Sequence, residues 1–383
     1  MLSDVKVNSY INNVKKRKVL FTATVVKTHI NAFHLPYLKW FKEQGYEVHV
    51  AAKNDFINEP CVIPNCDKLY DINFARFPFS KFNFKAYRQL KEIISENNYD
   101  IIHCHTPVAS VLTRLAARNC KNTTVIYTAH GFHFFKGAPL LNWLIYYPVE
   151  RFCAKYTDKL ITINQEDYEI AKRFKLRKNG KIYYVPGVGI NIEKIQNTQI
   201  DIQQKKKELG IPENIPVLLS VGELIKRKNH ETVLKALSGI KDMNFVYLIC
   251  GRGVLMEYLQ NLTRQLGLES KVKFLGFRKD IIKICKIADL FIFPSHQEGL
   301  PVALMEAMAC ELPIIASNVR GNRDLIDKEN LFELDDVAAL INLIEKQLDA
   351  ISQNGLRKVT YTSLEQYSLK NVLKQMAEIY TDK

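Results

Sequence analysis

Glu298-Gly-Leu-Pro-Val-Ala-Leu-Met-Glu306 decides the fold, because this stretch joins a strand to a helix and carries a carboxylate at each end. The apolar run Ala288–Pro294 before it is typical of a short buried strand that ends at a proline. The small apolar residues Leu304–Ala309 after it predict a helix. Ligands of an open α/β sheet bind in the loops that follow the strands, and helix N-termini suit phosphate oxygens. We therefore predict a binding site at Glu298 and Glu306, whose carboxylates can accept sugar and ribose hydroxyls.

Strands and helices alternate along the first half of the chain. Amphipathic or apolar helices are predicted between strands that read as short apolar runs, and this rhythm indicates a parallel, doubly wound sheet. The predicted strands of this half are 18–24, 47–52, 100–105, 124–130, 159–163 and 181–186.

The same rhythm begins again after a polar, lysine-rich stretch at 191–215, which favours a domain boundary near residue 190. The predicted strands of the second half are 216–221, 245–250, 272–275, 290–293 and 313–316. We predict an α/β protein of two Rossmann-like domains that face a cleft. The predicted parts are a basic N-terminal extension 1–17, a first domain 18–190, a second domain 191–360 and a C-terminal helical segment 361–383.

Positive charge is concentrated in the first half. Residues 1–195 hold 29 Lys and Arg against 16 Asp and Glu, whereas residues 196–383 hold 25 against 24. Such a basic half favours an anionic partner, and an anionic membrane surface fits better than nucleic acid because no recognition module is present.

The apolar segment 132–147 is interpreted mainly as core, with a membrane-facing surface as the alternative. No run is long enough to span a bilayer, and the scattered cysteines suggest reduced thiols in a cytoplasmic protein.

Two further loops follow predicted strands and carry candidate polar groups. Val221–Asn229 combines a glycine, which lets backbone approach a ligand, with consecutive cations that suit a diphosphate: Lys226, Arg227 and Lys228. Thr128–Phe135 places His130 and His133 after a strand, where a neutral imidazole can donate a hydrogen bond to a sugar or phosphate. A solvated basic loop and structural histidines are the simpler alternatives.

The two spaced glutamates and their surroundings resemble the Glu-x7-Glu signature of the retaining glycosyltransferases of family 4, which have the GT-B fold. The resemblance extends from Lys18 to Tyr380, and in part it points to bacterial capsular and exopolysaccharide enzymes. It implies that Glu298 faces the donor sugar and that Glu306 holds the nucleotide ribose. It also implies that the last helix crosses back onto the first domain.

Other site residues follow from the same resemblance. It implies catalytic roles for Lys228, which would stabilise the departing nucleoside diphosphate, and for His130, with His133 a second candidate on the acceptor side. The donor would further contact Gly222, Arg227, Arg278, Gly299 and Leu300. The family has an arginine at the position of Glu223, so Lys226 or Arg227 would have to supply that cation.

The implied reaction transfers a sugar, with retained configuration, from a nucleotide donor, expected to be UDP-linked, to a polyprenyl-diphosphate-linked saccharide. The enzyme is expected to act as a peripheral protein on the cytoplasmic face of the cell membrane. Because the chain has no Asp-x-Asp motif, we expect no essential metal and no other cofactor. Two alternatives remain: a UDP-sugar epimerase of similar fold, and a non-catalytic scaffold of a polysaccharide assembly complex.

Overall fold

Parallel strands form two sheets in the computed structural model, which describes residues 16–75, 77, 80–355 and 358–382. Most of the predicted basic extension, residues 1–15, lies outside these described residues.

The first sheet has seven strands in the order β3-β2-β1-β4-β5-β6-β7. Its centre is buried: every residue of β4 and the interior residues of β1 and β2 are buried, as expected of a parallel sheet covered on both faces. The strands are β1 Lys18–Val25, β2 Glu47–Lys53, β3 Lys68–Asp71, β4 Ile101–His105, β5 Thr124–Ala129, β6 Lys159–Thr162 and β7 Lys181–Tyr184. The helices of this part are α1 Leu35–Glu43, α2 Lys81–Asn97, α3 Pro107–Ala116, α4 Leu140–Ala154 and α5 Gln165–Ala171. A π-helix, Val26–His34, precedes α1.

The second sheet has six strands in the order β10-β9-β8-β11-β12-β13. Its strands are β8 Val217–Val221, β9 Val246–Cys250, β10 Val272–Gly276, β11 Leu290–Phe293, β12 Ile314–Ser317 and β13 Leu331–Phe332. The accompanying helices are α6 Ile192–Gln196, α7 Ile202–Glu208, α8 His230–Gly239, α9 Met256–Gln265, α10 Ile281–Cys285, α11 Val302–Ala309, α12 Val337–Asn354 and α13 Leu369–Thr381.

Both faces of the second sheet are covered, as β8 illustrates. Val217 and Leu219 pack with α11 on one face, whereas Leu218 packs with α8, α9 and α12 on the other. Side chains that alternate between two apolar layers require helices on both sides, which makes the sheet doubly wound. The predicted Rossmann-like architecture is confirmed.

The described chain forms two compact units. The first contains residues up to 128 together with 149–159 and 175–181, and the second contains 129–148, 160–174 and everything from 182 onward. Within the second unit, α13 lies against the segment after β7, where Ile190 exchanges two backbone hydrogen bonds with Tyr367 and Leu369. The domain limits at residues 17, 190 and 360, and the return of the last helix to the first domain, stay predictions.

A buried ion pair ties α3 to the second half of α4 in the first unit. The Arg114 guanidinium donates to a Glu150 carboxylate oxygen at 2.8 Å and lies 4.1 Å from the centre of the Tyr127 ring. The Tyr127 hydroxyl donates to the other oxygen of Glu150 at 3.1 Å. Because both charged side chains are almost fully buried, each depends on the other for its electrostatic compensation.

Substituting Arg114→Met leaves the Glu150 carboxylate buried without its cation. We expect a loss of about 3–5 kcal/mol in the free energy of unfolding, measured by urea denaturation of the full chain. Lys172→Met is the control, because the Lys172–Glu169 pair is about half exposed and is expected to contribute less than about 1 kcal/mol. Equal losses in the two variants would contradict the assignment of Arg114 as a structural ion-pair partner.

Candidate active site

The candidate site lies where the strand order of the second sheet reverses. β8 and β11 are neighbours, and the connections from them lead to opposite sides of the sheet. A crevice at the carboxyl ends of such a strand pair is where open α/β sheets bind ligands. The loop after β8 carries Gly222–Asn229, and the loop after β11 carries Glu298. Two of the predicted motifs, far apart in sequence, are therefore adjacent in the fold.

A charged cluster joins these two loops. The Lys228 ammonium donates to Oε1 of Glu298 at 2.6 Å, and the Arg227 guanidinium donates to the same oxygen at 3.2 Å. Arg227 also donates to the carbonyl of Gln297 at 2.9 Å. Glu298 is only 8% exposed, so its charge is compensated by two cations in a partly desolvated place. The same two cations are suited to an anionic ligand.

Local backbone geometry brings Lys228 towards Glu298. Residues Lys226–Lys228 form a single 3-10 turn that ends at Asn229, whose φ of 53° is left-handed. Within this turn, Arg227 and Lys228 form ion pairs with Glu298, and the Lys226 side chain is exposed. Of the two cations proposed to compensate for Glu223, the structure therefore brings Arg227 to the site.

Glycines allow the loops of this sheet edge to touch through their backbones. A Cβ on Gly251 would lie 1.8 Å from the carbonyl oxygen of Gly222, and one on Gly253 would lie 2.3 Å from that of Leu224. No side chain fits at such distances, so the Gly-x-Gly loop after β9 supports the Gly222 loop directly. A Cβ on Gly222 would lie nearest the flexible Lys228 side chain, at 3.3 Å.

Glu306 projects from α11, the helix that follows the Glu298 loop. Burial raises the pKa of its carboxyl above the ordinary range, so the site disfavours the charged form until a ligand compensates it. Leu300 is buried just before α11, whose N-terminus gives free backbone N–H groups next to Gly299 and Leu300. This arrangement can accommodate phosphate oxygens at the helix start and hydroxyls at Glu306.

His130 is brought to the same loop. A Cβ on Gly299 would lie 2.1 Å from the His130 carbonyl oxygen, so the two backbones are in direct contact. Burial lowers the pKa of the His130 imidazole to about 4, which keeps the ring neutral at physiological pH. A neutral imidazole can donate one hydrogen bond and accept another. Glu298, Lys228, Arg227 and His130 thus belong to one connected group of loops.

His133 and Arg278 have other surroundings. The His133 ring packs 4.7 Å from the Tyr146 ring of α4. Arg278 forms an ion pair with Asp280 at 2.7 Å and another with Glu208 of α7 at 3.3 Å. Neither contact reaches the Glu298 cluster, and the ligand roles of His133 and Arg278 stay predictions.

Two buried charged residues of the site, Arg320 and Asp167, were not predicted because neither lies in a sequence motif. Arg320 is 3% exposed and Asp167 is fully buried, and their side chains form an ion pair at 2.6 Å. Arg320 also donates to the carbonyl oxygens of Glu298 and Phe132, at 3.0 and 2.6 Å. Only its position in the sequence could have indicated Arg320, because Arg320 follows β12 just as Glu298 follows β11.

Comparison with known proteins shows the family of this chain. The family described as glycosyl transferases group 1 matches residues 201–358, and the family described as glycosyl transferase 4-like matches residues 18–164. EpsD of Bacillus subtilis (strain 168), named as a glycosyltransferase, is 40% identical over 379 residues, or 95% of this chain and 96% of EpsD. The chain belongs to the family 4 glycosyltransferases. The predicted family and the predicted class of enzyme are confirmed, which favours the transferase over the epimerase and the scaffold.

Two other proteins extend the comparison of this glycosyltransferase. The UDP-Gal:alpha-D-GlcNAc-diphosphoundecaprenol alpha-1,3-galactosyltransferase of Escherichia coli is 33% identical over 290 residues, covering 72% of this chain and 75% of the relative. The crystal structure of Anabaena Alr3699/HepE with UDP and glucose has a TM-score of 0.77 at 19% identity, over 96% of this chain and 100% of that one. At that identity the likeness shows the fold alone, and the fold is GT-B, as predicted.

The Arg227 and Lys226 side chains give a matched test of the charged cluster. Arg227→Met removes a cation that contacts Glu298, so we expect the affinity for a nucleoside diphosphate to fall about tenfold, the effect of one charge-assisted hydrogen bond. Lys226→Met removes an exposed neighbouring cation and is expected to change the affinity by less than about twofold. Calorimetric titration with UDP measures both variants. A larger effect from Lys226→Met would assign the missing cation to Lys226 instead.

Proposed function

We propose that this glycosyltransferase moves a sugar from a UDP-sugar to a polyprenyl-diphosphate-linked saccharide during exopolysaccharide or capsule assembly, with retention of configuration. The observation that carries the proposal is the pairing of Glu298 with Lys228 and Arg227 at the β8–β11 edge. The E. coli relative, whose name states a UDP-galactose donor and a diphosphoundecaprenol-linked acceptor, supports this choice of substrates. The predicted lack of an essential metal belongs to the same proposal.

Each of the proposed site residues has a separate role in the reaction. The bond between the sugar and the diphosphate breaks while Lys228, Arg227 and the N–H groups at the start of α11 stabilise the growing negative charge. The Glu298 carboxylate orients the donor sugar, and the Glu306 carboxylate accepts hydrogen bonds from the ribose. Neutral His130 donates a hydrogen bond to the sugar or the phosphate. The acceptor hydroxyl attacks from the face that the diphosphate leaves, which retains the configuration.

A membrane surface is the proposed setting for the lipid-linked acceptor. Within the segment predicted as core or membrane-facing, Phe132 and Phe134 are buried, whereas leucines of α4 are 63–73% exposed, namely Leu140, Leu141 and Leu144. In the first unit, exposed Phe84 of α2 lies under the guanidinium of Arg88 at 4.4 Å. Apolar and cationic side chains together suit the headgroup region of an anionic bilayer. Among the described residues, no helix has the length and apolar composition needed to cross a membrane.

A nucleotide screen tests the donor and the metal independence together. We expect UDP to raise the melting temperature of the full chain, because a ligand that binds only the folded state stabilises it by mass action. GDP, ADP and dTDP serve as controls for the base, and EDTA as the control for a metal. A shift with another nucleotide would change the proposed donor. A UDP shift that EDTA abolishes would contradict the proposal that cationic side chains alone hold the diphosphate.

The two glutamates are expected to separate turnover from affinity. Glu298→Ala should lower kcat about 10²- to 10³-fold, the usual effect of losing one transition-state contact, without unfolding the chain. Glu306→Ala should weaken UDP binding about tenfold or more and lower kcat less, because the ribose contact is present before and during the reaction. Glu311→Ala is the control, because Glu311 pairs with the exposed Lys358. Steady-state kinetics and calorimetry measure these effects. Normal turnover of Glu298→Ala would remove Glu298 from the site.

A further inference from the structure

We propose that Arg320, anchored by Asp167, is a positioning residue that holds the Glu298 loop and the His130 loop in one fixed arrangement for sugar transfer. This inference rests on the proposed roles of Glu298 and His130. Arg320 touches neither carboxylate nor imidazole of these two residues in the contacts described above. It acts on their backbones instead, which separates it from the catalytic groups.

The guanidinium of Arg320 binds three different segments at once. Its Nε donates to the carbonyl oxygen of Glu298 at 3.0 Å, in the loop after β11. Its Nη2 donates to the carbonyl oxygen of Phe132 at 2.6 Å, two residues after His130. Its Nη1 donates to Oδ1 of Asp167 on α5 at 2.6 Å. Since a guanidinium is planar and rigid, these three bonds fix the directions of the segments as well as their distances.

Asp167 completes the network as its buried anion. Its Oδ2 accepts the backbone N–H of Phe132 at 2.9 Å and the side-chain amide of Asn164 at 2.9 Å. Asn164 caps α5 by accepting the N–H of Asp167 at 2.8 Å, so the carboxylate is held at the first turn of a helix. Burial raises the pKa of Asp167, while Arg320 and these hydrogen bonds oppose that shift and favour the ionised form. Phe132 is therefore held on both sides, by Arg320 and by Asp167.

The glycines near Arg320 show that the backbones of the surrounding loops are in close contact. A Cβ on Gly321, whose φ is +77°, would lie 2.2 Å from the carbonyl oxygen of Gly299. Gly299 itself contacts the His130 carbonyl, and a Cβ on Gly131 would lie 3.1 Å from Nη2 of Arg320. The three loops are thus stacked backbone on backbone around one guanidinium. A shift of about 1 Å in such a stack is enough to cost about 10²-fold in rate when it misplaces a reacting group.

A second buried ion pair among the described residues, Arg114–Glu150, has a different arrangement. The Arg114–Glu150 pair is equally buried, but its partners Ser110 and Tyr127 belong to α3 and β5, and none of the proposed site residues takes part. Arg114 therefore serves as a matched control. A lysine at either arginine position keeps the positive charge but loses the planar guanidinium with its several N–H donors. A purely structural role for Arg320 predicts the same outcome at both positions.

The first test compares Arg320→Lys with Arg114→Lys in the full-length enzyme. Both variants are expected to lower the melting temperature, but only Arg320→Lys should lower kcat, by about 10²-fold. UDP affinity should change less than kcat, because the hydrogen bonds of Arg320 described above do not include Glu306, Arg227 or Lys228. Equal kcat values for the two variants would overturn the proposal. Transfer from a donor other than a UDP-sugar would revise the proposed function and leave this comparison valid.

A double-mutant cycle tests whether Arg320 acts through the Glu298 loop. In the Glu298→Ala background, Arg320→Lys should lower kcat far less than in the wild type, because the group that it positions is already absent. Additive losses, within about twofold, would mean that Arg320 acts elsewhere and would overturn the proposal.

Hydrogen exchange provides a readout that needs no substrate. In Arg320→Lys, amides in the peptides around 130–135 and 296–301 should exchange at least about tenfold faster, while those of β8 and β9 should not change. If Arg320→Lys does not fold, Asp167→Asn replaces it, since its amide group would face the N–H of Phe132 and weaken the same anchor. Unchanged exchange in both peptides of a folded variant would overturn the proposal.

Discussion

The adjacency of β8 and β11 is the constraint on which the site depends. Parallel strands that lie side by side deliver their following loops to the same edge, and here one loop is cationic and the other carries Glu298. Their attraction alone does not fix the geometry, because Lys228 and Arg227 are flexible side chains. Backbone contacts do so, through glycines at which any side chain would clash. The site therefore consists of closely packed loops that carry charged side chains. The packing of the loop backbones determines the geometry of the site.

Much of this arrangement could be predicted from the sequence, since strand ends are easy to locate. Glu298 and Lys228 both follow short apolar runs, and the doubly wound pattern implies that such loops share an edge. Elements with weak local signals were not predicted: β3 and β13 are short edge strands, and the π-helix Val26–His34 buries only Val26, Ile30 and His34 of its nine residues. Helix α12 was also missed, although Asp336 caps it in a regular way.

The Arg320–Asp167 pair lay beyond sequence reasoning for a different reason. The two residues are 153 positions apart, and each has polar sequence neighbours of the kind found on protein surfaces. Only the fold shows that both are buried and that they join two loops already of interest.

The Glu298 cluster has a consequence for the energetics of the catalytic cycle. In the proposed mechanism, the Glu298 carboxylate competes with the diphosphate for Lys228 and Arg227, with which it already pairs. A donor that takes Lys228 must replace an existing ion pair, so its net gain is the difference between two interactions. The same competition acts after transfer, when Glu298 can reclaim Lys228 and promote release of the nucleotide product. The ion pair thus limits how tightly the enzyme holds either nucleotide, which suits a catalyst that must release its product at every turnover.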